Sequence, residues 1–441
     1  MNSSHGENRP IVFYGAGSEA KSRLAAWEGA GLVPACFADG DAGKHYTRLA
    51  GYEILPLRVA MERYPDCDVY LTIGRGRLHD ATQYLSGQGI PAERIKFADP
   101  VEWRKGCDWL GRMVNVGEDV GLCCANKKYR ITASRHGMAE QIFSEWFHLC
   151  EKHLDNMRNN RPTACDACPH MREDYYSAGP PRPVVLNISS DDNLDYCNFR
   201  CSYCRQFSSY DQSRTERRSA EVLSIIRHFS EVCDSETANI ELSCGEPAAL
   251  PMCDEIFNFC FERNLRVAVF TNASIYKESL ANLLASEKCH LLVSLDAGTR
   301  ETFRAIKGRD MFEPVLNNLR KYAIAAGGGI SSGELARAGS PRRNAIHLKY
   351  IMLETQNDNE KDIGSFLDFA REINAHVVLS NNSNARGNPC SRHTMGMSQL
   401  FAKKCAEQGL PLTVGYEFFN PSDAKALRKY MADSNHELQQ A

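Results

Sequence analysis

The chain lacks an apolar run long enough to cross a bilayer; its longest are the length of a strand. It also lacks an excess of charge of either sign. Its 52 Lys and Arg against 55 Asp and Glu give a formal net charge of -3, and the two signs are mixed along the chain. That removes the electrostatic footprint of a protein that grips a nucleic-acid backbone or an anionic membrane. The N-terminus MNSSHGENRP lacks the charged-then-apolar order of a secretion signal, so a cytoplasmic protein is expected. No internal repeat is present.

Cysteine, by contrast, is plentiful. Eighteen cysteines in 441 residues are many for a reducing compartment, where disulfides are disfavoured and clustered thiols point to metal. Cys36, Cys67, Cys233, Cys253, Cys260 and Cys289 stand singly in apolar or helical stretches, where a cysteine acts as a small hydrophobe.

A chain of this length needs two or three cores. Residues 1–105 alternate short apolar runs with helical stretches, predicting a doubly wound parallel sheet of Rossmann-like type. Its strands are expected at Ile11–Tyr14, Val33–Ala38, Val69–Ile73 and Ile95–Phe97. Residues 106–182 are irregular and cysteine-rich around one amphipathic stretch, Met138–Met157, as in a small metal-stapled module or linker. From 183 to 441 the βα rhythm resumes with about six units, from a strand at Val184–Ser189 to one at Leu412–Val414. That predicts a complete or partial (β/α) barrel, with its chemistry at the C-terminal ends of the strands. The Gly-, Ser- and Arg-rich stretch Ala325–Asn344 reads as a loop interrupting it.

Directly after the first strand of that region lies Cys197-Asn-Phe-Arg-Cys201-Ser-Tyr-Cys204. Three thiolates so spaced can hold three corners of a cubane and leave the fourth iron without a protein ligand. Soft thiolates favour iron–sulfur or zinc over hard cations, and structural zinc normally takes four ligands.

This loop resembles the signature of the radical S-adenosylmethionine (SAM) superfamily. The resemblance covers about residues 184–416. Ser243-Cys-Gly245-Glu246-Pro247 is similar to the family's GGEP segment, whose backbone meets the amino group of SAM. Asn272, Ser294 and Asp296 follow the third and fourth strands, where family members hold the ribose and carboxylate. The resemblance implies a [4Fe–4S] cluster on Cys197, Cys201 and Cys204, with SAM bound beside it. It also implies an electron donor such as flavodoxin or ferredoxin. Tyr203 would turn its backbone to adenine, or it is a plain buried aromatic. Cys244 replaces the first glycine of GGEP; it is either a small packed residue or, if it faces the lumen, a hydrogen donor to a product radical.

In the middle region, Cys123-Cys124 and Cys165-Asp-Ala-Cys168 resemble the SPASM-type modules that carry auxiliary clusters, although those usually follow the barrel. A second [4Fe–4S] cluster, structural zinc and no metal remain open. Adjacent thiols rarely both ligate one cubane, so Cys107 or Cys150 could replace one of the pair.

Gly15-Ala-Gly17 forms a turn between strand and helix, an anion site in dinucleotide folds, and Asp39 ends the next strand where a ribose-binding acid would lie. The region looks like Rossmann-type domains of sugar-modifying and nucleotide-sugar enzymes. Scaffold, phosphorylated-ligand and NAD readings all stand.

The expected function is radical modification of a substrate by SAM cleavage, with a carbohydrate or nucleotide-linked small molecule favoured. The alternatives are a peptide or protein maturase and, more remotely, a zinc-stapled binding protein without catalysis. Neither nucleic acid nor membrane is expected as a partner, and the oligomeric state is open.

Overall fold

The computed structural model describes residues 9–73, 77–107, 109–117, 120–123, 132–133, 139–168, 170–189, 195–204, 210–233, 238–327, 345–382 and 388–440. The chain divides into two compact units, one of Met1–Val114 with Val120–Val184, the other of Asn115–Asp119 with Val185–Ala441. The first thus holds both the expected Rossmann-like region and the cysteine-rich one. The expected loop Ala325–Asn344 lies almost wholly outside the described residues.

In the first unit, β1 (Ile11–Tyr14) leads through the glycine turn to α1 (Ser18–Gly29), then β2 (Cys36–Ala38). Strand β2 starts later than the expected Val33, because Pro34 has no N–H for the ladder. A hairpin of β3 (Arg48–Leu49) and β4 (Tyr52–Leu55) follows. Its turn residues Ala50 and Gly51 both have positive φ, the requirement of a two-residue hairpin turn. Alanine seldom adopts that conformation, which is why the hairpin is not signalled in the sequence.

The chain continues through α2 (Leu57–Arg63), β5 (Asp68–Leu71), α3 (Leu78–Gly87), β6 (Ile95–Phe97) and β7 (Val101–Gly106). The sheet order is β3-β4-β2-β1-β5-β6, parallel except for the hairpin. Its five parallel strands run 3-2-1-4-5 in chain order, the doubly wound arrangement. Apolar residues are buried on both faces: Val12, Val69 and Leu71 on one, Phe13, Phe37 and Trp27 on the other. Three short strands, β8 (Met113–Val116), β9 (Val120–Gly121) and β10 (Thr132–Ala133), precede α4 (Ala139–Arg158). Helix α4 buries Phe143, Trp146 and Leu154, so the cysteine-rich region has more apolar core than its sequence suggests. Strand β11 (Arg172–Ser177) pairs antiparallel with β7, Arg172 opposite Gly106.

The second unit opens with β12 (Val185–Ile188) and α5 (Gln212–Val232). It continues through β13 (Asn239–Leu242), α6 (Cys253–Glu262), β14 (Arg266–Thr271), α7 (Glu278–Ala285) and β15 (Cys289–Ser294). Then follow α8 (Arg300–Lys307), α9 (Phe312–Ala325), β16 (Ile346–Met352), α10 (Glu360–Glu372), β17 (His376–Asn381), α11 (Arg392–Glu407), β18 (Leu412–Val414) and α12 (Pro421–Gln440). The seven strands pair in chain order, all parallel. Side-chain caps fix several helix starts: Asp211, Thr299, Asn359 and Ser391 each accept an amide from the first turn that would otherwise lack a partner.

Alternation along these strands separates two faces. Tyr350 is buried and its ring meets Phe366 of α10 at 4.8 Å and Phe401 of α11 at 5.2 Å, so its set faces the helices. The other set, including Asn187, Glu241, Ser294, His347 and Lys349, is only half-buried and faces the opposite side of the sheet.

Candidate radical-generating site

Cys197, Cys201 and Cys204 lie in the loop after β12, all partly exposed. Their sulfurs are close enough to interact. Burial pushes the Cys197 thiol up to about 12, with Glu246, Cys201 and Cys204 adding to it. Burial also raises Cys201; the nearby Lys307 ammonium opposes that, and Asp296 and Cys204 reinforce it. Among the described residues no three His, Cys, Asp or Glu side chains converge as ligands of a single ion would. A cubane makes no such demand, because each thiolate takes a different iron. The soft thiolates of this loop suit a [4Fe–4S] cluster in their chemistry.

The loop is held from two sides. On one, Arg200 N–H donates to Lys307 O at 3.2 Å and Ser202 N–H to Ile306 O at 2.8 Å. These carbonyls end α8 and have no partner within the helix, so the loop caps the helix as the helix fixes the loop. Gly308 ends α8 at φ 67°, and a Cβ there would lie 2.8 Å from Arg200 O. Glycine is required both for that conformation and for the approach.

On the other side stands the turn after β13. Gly245 has φ 53°, and a Cβ there would collide with Tyr196 O. The next amide, Glu246 N–H, donates to the same Tyr196 O at 2.9 Å. Glu246 is 1% exposed, and its carboxylate accepts from Ala248 N at 3.2 Å, Thr271 Oγ1 at 2.6 Å and Asn272 N at 2.6 Å. Asn272 in turn donates from Nδ2 to Asn198 Oδ1 at 2.8 Å, inside the cysteine loop. Gly245, Glu246 and Asn272 thus come together around the loop as the motif order implies. The side chain of Glu246 is a strut; whatever this turn offers a ligand is backbone.

Asp296 has a different place from the one expected. Its residue is wholly buried, and its carboxylate accepts from Tyr203 Oη at 2.6 Å, Lys307 Nζ and Ile351 N at 2.8 Å. The side chain is closed into the wall and does not face a ligand. Tyr203 packs on Ile306, Ile351 and Leu353, with Lys307 Nζ 5.2 Å from its ring centre. Its side chain is partly buried and its backbone stays in the cysteine loop.

Cys244 lies just after β13. It is 1% exposed, and burial pushes its thiol up to about 12, with Asp195 raising it further and Arg218 opposing. Arg218 and Asp195 form an ion pair at 2.8 Å with side chains at most 1% exposed. A thiol so enclosed fits the reading of a small packed residue.

Ser294 ends β15 on the half-buried face and pairs across strands with Lys349, while Asn187 pairs with Glu241. Burial lowers the pKa of Lys349, partly countered by Asp296. Burial alone raises that of Glu241. Among the described residues the buried Asn187 Oδ1 has no partner. These inward polar groups sit on strands whose alternation was legible, but nothing in one sequence marks them as functional.

In the first unit the glycine turn is tied down. Gly15 N–H donates to Ala38 O at 2.8 Å, and Ala16 N–H to Asp39 Oδ2 at 2.7 Å. Gly17 caps α1 without a side-chain bond. Burial disfavours ionised Asp39, yet the amides of Asp41 and Ala16 and the Lys44 ammonium outweigh it and hold its pKa low. Both carboxylate oxygens therefore already accept from Asp39's own surroundings. Of the middle cysteines, Cys123, Cys165 and Cys168 are described and Cys124 lies outside the described residues.

The second unit thus sets seven parallel strands side by side in chain order, with three cysteines in the loop after the first of them. Residues 194–328 match the radical SAM superfamily. Over 195 residues it is 29% identical to an uncharacterized protein of Methanocaldococcus jannaschii, covering 43% of this chain and 56% of that one. A GTP 3′,8-cyclase of Stenotrophomonas maltophilia is 29% identical over 180 residues, 40% of this chain and 48% of its own. Streptococcus suis SuiB bound to S-adenosylmethionine aligns with 62% of this chain and 58% of its own at 13% identity, TM-score 0.39. The chain spans about half the length of the curated relatives it matches. Among the described residues no helix is long and apolar enough to cross a membrane.

Proposed function

We propose that this protein cleaves SAM reductively at a [4Fe–4S] cluster on Cys197, Cys201 and Cys204 and directs the resulting radical at a nucleotide-linked small molecule. The observation that carries this is the doubly anchored cysteine loop, docked on α8 by Arg200 and Ser202 and braced by Gly245, Glu246 and Asn272. When bound, cluster and SAM supply a 5′-deoxyadenosyl radical on receipt of one electron from a flavodoxin- or ferredoxin-type donor; the protein's own residues supply placement.

Glu246 sets the geometry between the turn after β13 and the end of β14, so that backbone groups of Gly245 and the half-buried Ser294 border the ligand. Tyr203, Asp296 and Lys307 hold the rear of the loop rigid. Glu241 and Lys349, charged groups of opposite sign on the half-buried face, suit a substrate with donor and anionic groups. Two further observations favour a nucleotide-linked substrate: relatives named GTP 3′,8-cyclase match 40% of this chain, and the first unit has the strand order of a nucleotide fold.

The test is anaerobic reconstitution followed by SAM and dithionite, with 5′-deoxyadenosine and methionine followed by mass spectrometry. Nucleotides, nucleotide sugars and peptides are then supplied in turn. Cleavage that accelerates with a nucleotide-linked compound supports the reading. Acceleration by peptides alone would make the protein a maturase, and no 5′-deoxyadenosine would remove the activity.

A further inference from the structure

Parallel strands are ordinarily covered on both faces and read as nearly continuous apolar runs. The inner face of the second unit departs from that rule. Asn187 on β12, Glu241 on β13, Ser294 on β15 and Lys349 on β16 turn away from the helices and stay half-buried. Polar groups at alternate positions of parallel strands are costly unless they line a lumen that takes a polar ligand.

These groups are sorted by charge. Asn187 stands directly opposite Glu241 in the β12–β13 ladder, and Glu241 stands opposite Ala268 of β14. Lys349 lies three strands from Glu241 in the sheet order and pairs with Ser294. The β12–β13 end therefore presents acceptors. The buried Asn187 Oδ1 has no partner among the described residues. An ionised Glu241 carboxylate only accepts, and the methyl of Ala268 has no donor to give. Burial alone raises the pKa of Glu241; a cation brought against the carboxylate favours its ionised form and opposes that rise.

Both residues are carried on paired strands close to the cysteine loop. Ser243 N–H donates to Ile188 O at 2.9 Å, joining β13 to β12 one step beyond the pair. Glu241 precedes Gly245 by four residues, about 13 Å of strand from the turn that braces the loop.

We infer that Asn187 and Glu241 bind a protonated primary amine, so that the substrate of this lumen is an amino-bearing molecule. An ammonium has three N–H donors, enough to serve the carboxylate and the unpartnered amide oxygen together. A phosphate placed at the same end would meet like charge, which leaves Lys349 as the cation for an anionic part of the substrate. The inference rests on the function proposed above and narrows it: among nucleotide-linked compounds, those with a free amine are selected. Asn187 and Glu241 determine specificity and take no part in making the radical.

The experiment measures binding by equilibrium dialysis to the reconstituted full-length protein with SAM present. Its probes are matched sets that differ at one nitrogen: UDP-glucosamine, UDP-N-acetylglucosamine and UDP-glucose, and a lysine peptide with its Nε-acetylated form. Formation of 5′-deoxyadenosine after dithionite is followed on the same samples. In at least one set the amine should bind about tenfold to a hundredfold tighter than its counterparts, the worth of a charge-assisted hydrogen bond. Glu241→Gln should abolish that preference, Glu241→Asp should keep part of it, and Asn187→Ser should diminish it.

No preference for the amine in any set, or a preference that survives intact in Glu241→Gln, would overturn the inference. Where Glu241→Gln fails to fold, Asn187→Ser decides, and an undiminished preference there overturns it equally. A preference confined to the peptide set leaves the amine site standing and removes the nucleotide-linked substrate. No 5′-deoxyadenosine from any sample, with the preference intact in dialysis, removes the radical reading alone.

Discussion

The backbone N–H of Asn272 donates to Glu246 Oε2 at 2.6 Å, and this bond joins the end of β14 to the turn after β13. The same carboxylate accepts from Thr271 and Ala248, so three donors depend on one buried side chain. Glu246→Ala leaves them without a partner, at about 1–3 kcal/mol for each buried donor. We expect a thermal midpoint lower by several degrees and reduced iron on the cysteine loop, with Glu246→Gln milder. An unchanged midpoint and full iron in the alanine variant would show that the strut is dispensable.

Asp296 and Lys307 form a pair with side chains at most 1% exposed. Asp296→Asn leaves the Lys307 ammonium buried beside a neutral group, a loss of about 3–5 kcal/mol when one partner of such a pair is removed. Asp296→Asn/Lys307→Met removes both charges and should recover much of that loss. Urea unfolding of the two single variants and the double variant measures the coupling. Additive effects would mean the two charges do not act as a pair.

Gly245→Ala tests the backbone approach. The added methyl needs a left-handed φ that alanine disfavours by about 1–2 kcal/mol, and it also meets Tyr196 O. SAM affinity by equilibrium dialysis and iron content should both fall, whereas Gly364→Ala, where a Cβ has open space, should leave them intact. Equal behaviour of the two variants would refute the steric account.

Cys244→Ala should leave 5′-deoxyadenosine formation and product yield near wild type, because the thiol is enclosed beside Arg218 and Asp195. The cost is about 1 kcal/mol of stability for a small buried group. Retained SAM cleavage with lost product would restore the role of hydrogen donor.

Glu241 sets a pH dependence. Burial raises its folded pKa above the usual 4.5. Between that value and the folded one, the native state holds a proton that the unfolded state has lost. Its contribution to stability therefore falls as pH rises through this window. Glu241→Gln removes the slope, so the variant should gain on wild type as pH climbs above 4.5, read from urea midpoints of the apoprotein. A constant difference across the range would place Glu241 in water.

Much of this was legible in the residues themselves. Strand periodicity in the second unit follows from apolar alternation, and Cys197, Cys201 and Cys204 follow from local spacing, because a loop of eight residues can gather its own thiols. Gly245 was marked by its motif, and its left-handed φ is a local property of glycine.

What the sequence left open depends on contacts between distant segments. Whether Asp296 met a ligand or a lysine was decided by α8 folding back to place Lys307 beside it. The burial of Cys244 depends likewise on packing that the local sequence does not show. Local spacing and backbone conformation are written in consecutive residues, whereas side-chain partners across the fold exist only once packing has chosen them.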